Sequence, residues 1–228
     1  MHNSNEPKDG VVLLHGMFRT HRSMGGMARF FRANGYTVIN VGYPSTRMRV
    51  EDIAAHIHPK VEAFCAGVSG KVHFVGYSMG GLVIRAYLHR FRVGNLGRVV
   101  MLGTPNQGSE MADVVKNLWL FKKLYGPAGQ QLVTAPDNLI LPSKAHYELG
   151  SIAGNFSIDP LTNYIMGGPN DGKVTVESTK LDGMKDHIVI SASHAFFPRN
   201  RAARDYALRF LKHGTFTSSH PLPARNHV

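Results

Sequence analysis

The sequence predicts an α/β fold: a mostly parallel central sheet flanked by helices, with a short helical cap inserted late in the chain. Three observations carry that prediction. Short, nearly unbroken apolar runs such as "VVLLHG" (11–16) end on glycine, as strands buried on both faces do. Stretches with helical spacing of apolar residues alternate with them, the pattern of βαβ units. After Pro105 that rhythm breaks for about forty residues and then resumes.

In order, 11–16 is the first strand, and "HRSMGGMARFFRANG" (21–35) is a helix stopped by Asn34-Gly35. "YTVINVGYP" (36–44) is the second strand, and 49–67 is an amphipathic helix with Ile53, Ile57, Val61 and Phe64 on one face. "KVHFVGYS" (71–78) is a strand, "MGGLVIRAYLHRF" (79–91) a helix and "RVVMLGTP" (98–105) a strand. Residues 106–147 form the expected insertion, in which Met111, Val114, Val115, Leu118 and Trp119 recur at helical spacing. They fit an amphipathic helix packed on the core or a cap over a cleft. "LGSIAGNFS" (149–157) resumes the strands, 167–179 is a turn-rich loop, and "DHIVISASHAFF" (186–197) is a strand running into a loop. Residues 199–214 form a closing helix ended by Gly214, and 215–228 read as a loose tail. The 228 residues, 43% of them hydrophobic, suffice for a single domain with this insertion.

Composition narrows the function classes. The 26 Lys and Arg against 15 Asp and Glu give 26 − 15 = +11. The bases are scattered, with no aromatic-interleaved basic block, so a solvated basic surface is favoured and no nucleic acid is expected. Cys65 is the single cysteine, read as a small buried hydrophobe, so no intrachain disulfide can form. The polar start "MHNSNEPKDG" lacks a signal-peptide apolar core, and no apolar run approaches the ~20 residues that cross a bilayer. These features lean towards the cytoplasm, or towards secretion if a leader has been removed.

Chemistry concentrates at Gly76-Tyr77-Ser78-Met79-Gly80, where a strand stops and a helix starts at once. A serine in so tight a turn has a strained backbone, and neighbours facing it must be glycine because a Cβ would clash. The turn would present the hydroxyl beside a helix N-terminus, where free N–H groups favour negative charge. A serine hydroxyl needs a base to take its proton and a carboxylate to orient that base. Of 13 histidines, His194 lies just past the last strand, on the edge from which Ser78 projects. Asp171, in a glycine-rich loop after the 149–157 strand, is the preferred acid. Asp159, Asp182 and Asp186 compete, though Asp159 precedes a proline as turn formers do and Asp186 opens a strand. Oxyanion donors are expected from the backbone N–H groups of Met79, after the nucleophile, and Met17, after the first strand. His15 ends that strand and is read as a brace for the loop rather than an acid–base group.

The ordered set "HGM", "GYSMGG", "LGTPNQGS", "NDGKVTVES" and "SH" resembles the α/β-hydrolase superfamily, above all its bacterial lipase and esterase branch. The resemblance spans nearly the whole chain outside the insertion and the tail. It implies the α/β-hydrolase fold, with Ser78 as nucleophile, Asp171 as acid, His194 as base and Met17 and Met79 as oxyanion donors. It implies no cofactor. Some lipases carry calcium, but no acidic cluster here argues for a metal. Phe18, Leu118 and Trp119 are the expected substrate contacts, and the apolar insertion favours an apolar acyl group. Lys116, Lys122 and Lys123 flank it, where weak interfacial contact with an anionic membrane is conceivable but a solvated face explains them as well. The expected activity is carboxylester hydrolysis of a small-molecule or lipid ester. Acyl transfer or thioester hydrolysis with the same three side chains is the alternative, and a non-catalytic basic binding protein on this scaffold is the remote one.

Overall fold

A computed structural model describes residues 7–108, 141–157 and 166–217. Its frame is six parallel strands: β1 (Gly10–Leu14), β2 (Thr37–Val41), β3 (Val72–Tyr77), β4 (Leu96–Leu102), β5 (Leu149–Gly154) and β6 (Asp186–Ile190). They are ordered β2-β1-β3-β4-β5-β6. The helices are α1 (Gly25–Ala33), α2 (Val50–Ala66), α3 (Met79–Arg90) and α4 (Arg201–His213).

Strand alternation sends side chains to two cores. Val12, Leu14, Phe74, Val99 and Met101 pack with α2 and α3 on one face. Val11, Leu13, Val75, Tyr77 and Val100 pack with α1 and α4 on the other. Both faces are covered, which is why these strands read as unbroken apolar runs instead of alternating ones.

From β1 the chain moves outward to β2, then crosses back to β3 and continues the other way. The order therefore reverses between β1 and β3. In open α/β sheets the crevice at such a switch point, beyond the carboxyl ends of the strands, is where ligands bind.

Some local expectations are refined. The first helix is split: His21–Met24 is a 3-10 turn and the α-helix starts at Gly25. His194 opens a 3-10 helix over His194–Arg199 rather than lying in an irregular loop. Cys65 is half-buried at the border of a core, not enclosed by it, and partial burial still pushes its thiol pKa up. The expected tail at 215–228 is anchored over its first residues. Phe216 is buried against Phe210, and both its N–H and the Thr215 hydroxyl donate to the Asp186 carboxylate. Residues 106–108 and 141–147 are the described ends of the expected insertion, and Leu118 and Trp119 lie outside the described residues.

Candidate active site

β3 ends at Tyr77 and α3 starts at Met79, so Ser78 alone makes the turn, with φ 54° and ψ −125°. Among the described residues only Phe18 and Ser78 have positive φ without being glycine. Such a backbone costs on the order of 1–3 kcal/mol per residue and persists only where the surroundings enforce it. They do so here. The Ser78 N–H donates to the Leu102 carbonyl at 2.8 Å, and its own carbonyl accepts from the Gly81 N–H at 2.9 Å and the Thr104 hydroxyl at 3.0 Å.

The glycines around Ser78 are fixed by close approach. A Cβ on Gly76 would lie 2.6 Å from the Gly81 nitrogen, and one on Gly80 would strike the Leu14 and His15 carbonyls. A Cβ on Gly81 would strike Thr104. The first turn of α3 thus lies directly against the ends of β1, β3 and β4.

His194 and Asp171 are brought to Ser78 from two later strand ends. His194 Nε2 stands 2.9 Å from Ser78 Oγ, and Nδ1 stands 2.7 Å from Asp171 Oδ2. A carboxylate only accepts, so Nδ1 carries the proton and Nε2 is left to accept from the serine hydroxyl. The other carboxylate oxygen, Oδ1, accepts from the backbone N–H groups of Lys173 at 3.0 Å and Val174 at 2.9 Å. Asp171 is buried to 2% exposure, and these charge-assisted bonds offset the cost of taking its charge out of water. A further bond, His194 N–H to the Asp171 carbonyl at 2.8 Å, fixes the two loops to each other. Space for the carboxylate comes from glycine: a Cβ on Gly103 would lie 3.0 Å from Asp171 Oδ2, and one on Gly154 would lie 2.9 Å from its Cβ.

The loop after β1 closes on the same point. A Cβ on Gly16 would lie 3.2 Å from the Ser78 Cβ. The Arg19 N–H donates to the Gly16 carbonyl at 3.3 Å, making a turn with Met17 and Phe18 at its centre. Phe18, with φ 55°, takes the third position of that turn, where a type II turn demands positive φ, and its ring is 48% exposed. Met79 is the first residue of α3, so its N–H has no carbonyl one turn back to bond. The Met17 N–H is likewise not spent on an acceptor among the described residues.

His15 lies beneath this loop. Its Nδ1 donates to the Gly16 carbonyl at 2.8 Å, its Nε2 accepts from the Tyr43 N–H at 3.4 Å, and its ring stacks on Tyr43 at 4.1 Å between centroids. The Tyr43 hydroxyl donates back to the His15 carbonyl. Burial holds the His15 pKa below the ordinary value. With both ring nitrogens engaged and no hydrogen bond to Ser78, it braces the loop.

The structure therefore brings Ser78, His194, Asp171 and the Met17 loop together. Three contributors lie outside the expected set of site residues. Tyr77 donates its hydroxyl to the His194 carbonyl at 2.7 Å, Thr104 holds the elbow carbonyl, and Gly103, at φ 55°, clears room for the acid. Only Gly103, following an apolar strand, carries a recognisable mark of special backbone.

A family model described as palmitoyl protein thioesterase matches residues 10–138, more than half of the chain. Among solved structures, the mature form of Bacillus licheniformis lipase BlEst2 is 23% identical with a TM-score of 0.72, over 92% of this chain and 95% of that one. Aspergillus fumigatus lipase B is 15% identical with a TM-score of 0.66, over 92% of this chain and 54% of that one. The metagenomic carboxyl esterase MGS0156 is 19% identical with a TM-score of 0.65, over 84% and 65%. At these identities the likeness is one of fold, and the shared architecture is the α/β-hydrolase fold.

Proposed function

This chain belongs to the palmitoyl protein thioesterase family, and from that premise we propose that it is a serine acyl hydrolase acting on apolar acyl esters through an acyl-enzyme. The observation that carries the reading is the unbroken relay from Ser78 Oγ to His194 Nε2, and from Nδ1 to Asp171 Oδ2, at 2.9 and 2.7 Å.

In this reading His194 takes the Ser78 proton on Nε2 as Oγ attacks the acyl carbonyl. The imidazolium so formed is stabilised by the Asp171 carboxylate, which also accepts from two backbone N–H groups. The carbonyl oxygen becomes an oxyanion and takes the Met17 and Met79 N–H groups as donors. As the tetrahedral intermediate collapses, His194 returns its proton to the leaving oxygen or sulfur and the acyl group stays on Ser78. Water then enters, gives a proton to His194 and attacks the acyl carbon; collapse releases the acid and restores the Ser78 hydroxyl. The exposed Phe18 ring, beside the oxyanion donors, is assigned an acyl contact.

Thioester hydrolysis is a second reading, favoured by the family match. The same residues serve it, since only the leaving atom changes. The test is a paired series of p-nitrophenyl esters and the matching acyl thioesters from two to sixteen carbons, with wild type and Ser78→Ala in parallel. Loss of the serine should lower turnover on the order of 10⁴- to 10⁶-fold. Near-normal turnover by Ser78→Ala would remove Ser78 from the chemistry, and the oxygen-to-sulfur ratio at matched chain length decides between the two substrates.

A further inference from the structure

On the flank of α3 lies a cavity of about 130 Å³ with four basic side chains on its walls: Arg85, His89, Lys144 and His146. Among the described residues that line it there is no carboxylate. Arg85 and His89 are one helical turn apart on α3 and share a face. Lys144 and His146 lie two apart on an extended segment, tied by backbone to Asp182, and so also share a side. Two independent elements thus bring basic side chains to one small space.

Arg85 is buried to 6% exposure, yet among the described residues no acid accompanies it. Its Nη1 donates to the Asn106 carbonyl and side-chain oxygen at 2.9 and 3.3 Å, and its Nη2 to the Pro142 carbonyl at 2.8 Å. These bonds use three of the five guanidinium N–H groups. The other two, on Nε and Nη2, are left on the residue that walls the cavity. Among the described residues no ion pair involves Arg85, His89, Lys144 or His146. A buried cation held only by neutral oxygens is costly, and so is the convergence of further bases on it. An anion in the cavity offsets both costs.

We propose that this cavity is a binding site for a phosphate group. Its volume equals about four waters at the bulk share per molecule, room enough for a tetrahedral oxyanion. The guanidinium fork suits two phosphate oxygens, with His89 beside it on α3, while Lys144 and His146 line the cavity from the other segment. Arg85 is six residues beyond Met79, roughly 9 Å along the helix at 1.5 Å per residue. The site is therefore separate from Ser78, and it stands whether or not the chain hydrolyses esters.

Inorganic phosphate tests the idea directly, by calorimetry and by melting temperature, against chloride at matched ionic strength. Wild type should bind saturably and melt higher in phosphate. The double variant Lys144→Ala/His146→Ala, altered at two exposed side chains, should melt as wild type does in chloride and bind phosphate at least about tenfold more weakly. A second arm measures flotation on vesicles of ether-linked phosphatidylcholine with and without ether-linked phosphatidic acid, which offer no carboxylic ester bond to cleave. Retention by phosphatidic acid that depends on the same two residues identifies a lipid head group as the source. Saturable phosphate binding without retention identifies a free phosphate. Absence of binding in both arms, or equal binding by wild type and variant, overturns the proposal.

Discussion

The Tyr77 hydroxyl donates to the His194 carbonyl at 2.7 Å, joining the residue that precedes Ser78 to the residue that faces it across 116 positions of sequence. Tyr77 is almost wholly buried, and burial pushes its phenol pKa well up, so it remains a donor throughout the working range. The bond sets the start of the His194 turn relative to the end of β3, and therefore the imidazole relative to the hydroxyl.

Tyr77→Phe is expected to lose about 1–2 kcal/mol of stability, since it leaves a buried carbonyl unpaired while keeping the ring. If the bond positions His194, turnover also falls on the order of tenfold with KM unchanged, because Tyr77 is almost wholly buried. Steady-state kinetics with urea unfolding on the same preparation separates the two effects. An unchanged kcat in a destabilised variant would reduce Tyr77 to a packing role.

Asp171→Asn keeps the side-chain shape but exchanges one acceptor oxygen for a donor. An NH₂ placed opposite Nδ1 forces the imidazole into the tautomer with its proton on Nε2, where it cannot accept from Ser78. Turnover should fall on the order of 10⁴-fold while the fold persists. The pre-steady-state acylation rate checks this, and retention of more than about a tenth of it would move the acid role to another carboxylate.

Gly76→Ala is expected to cost at least about 3 kcal/mol, because the new methyl meets the backbone of Gly80 and Gly81 and no side chain can swing away. Gly94→Ala, with open space at its Cβ, is the matched control and should stay within about 0.5 kcal/mol of wild type. Equal melting temperatures for the two variants would mean that the elbow relaxes more easily than its contacts suggest.

Much of this site could be read from local pattern because its demands are local. A strand, one strained residue and a helix without a linker require glycine at 76 and 80, and glycine is visible in a sequence. The acid depends on tertiary surroundings. Asp159 lies outside the described residues; what separates Asp171 from Asp182 and Asp186 is a pocket made by Gly103 and Gly154 at the ends of two strands, together with the Lys173 and Val174 N–H groups. That is tertiary information, and no spacing within 167–179 encodes it. Phe18 shows the opposite limit. A phenylalanine at positive φ breaks the rule that such turns announce themselves by glycine, so its turn left no trace. His73 is similar. It reads as one more strand residue, yet its Nδ1 accepts from the Arg98 N–H at 2.8 Å, filling the irregularity where β3 and β4 lose register.

Two buried histidines outside the relay predict how stability depends on pH. His15 Nε2 accepts from the Tyr43 N–H, and His73 Nδ1 accepts from the Arg98 N–H, so a proton on either nitrogen would set donor against donor. Burial, the leading cause in each case, holds both pKa values below the ordinary 6.5. The unfolded chain therefore binds protons that the folded chain refuses, and stability rises with pH over that interval. The contribution is complete above about pH 6.5 and is lost as pH falls from there through the lowered folded values. The Glu148 carboxyl, held below its ordinary range chiefly by its bond to Lys185, acts in a separate window, below its ordinary pKa of 4.5. The urea midpoint should therefore drop between about pH 7.5 and about pH 5.5, before any carboxylate is involved. The double variant His15→Gln/His73→Gln should be less stable at the upper pH but show a shallower drop. A midpoint that is flat over this range in wild type would mean that both imidazoles accept protons in place, and that the Tyr43 and Arg98 N–H groups find other acceptors when they do.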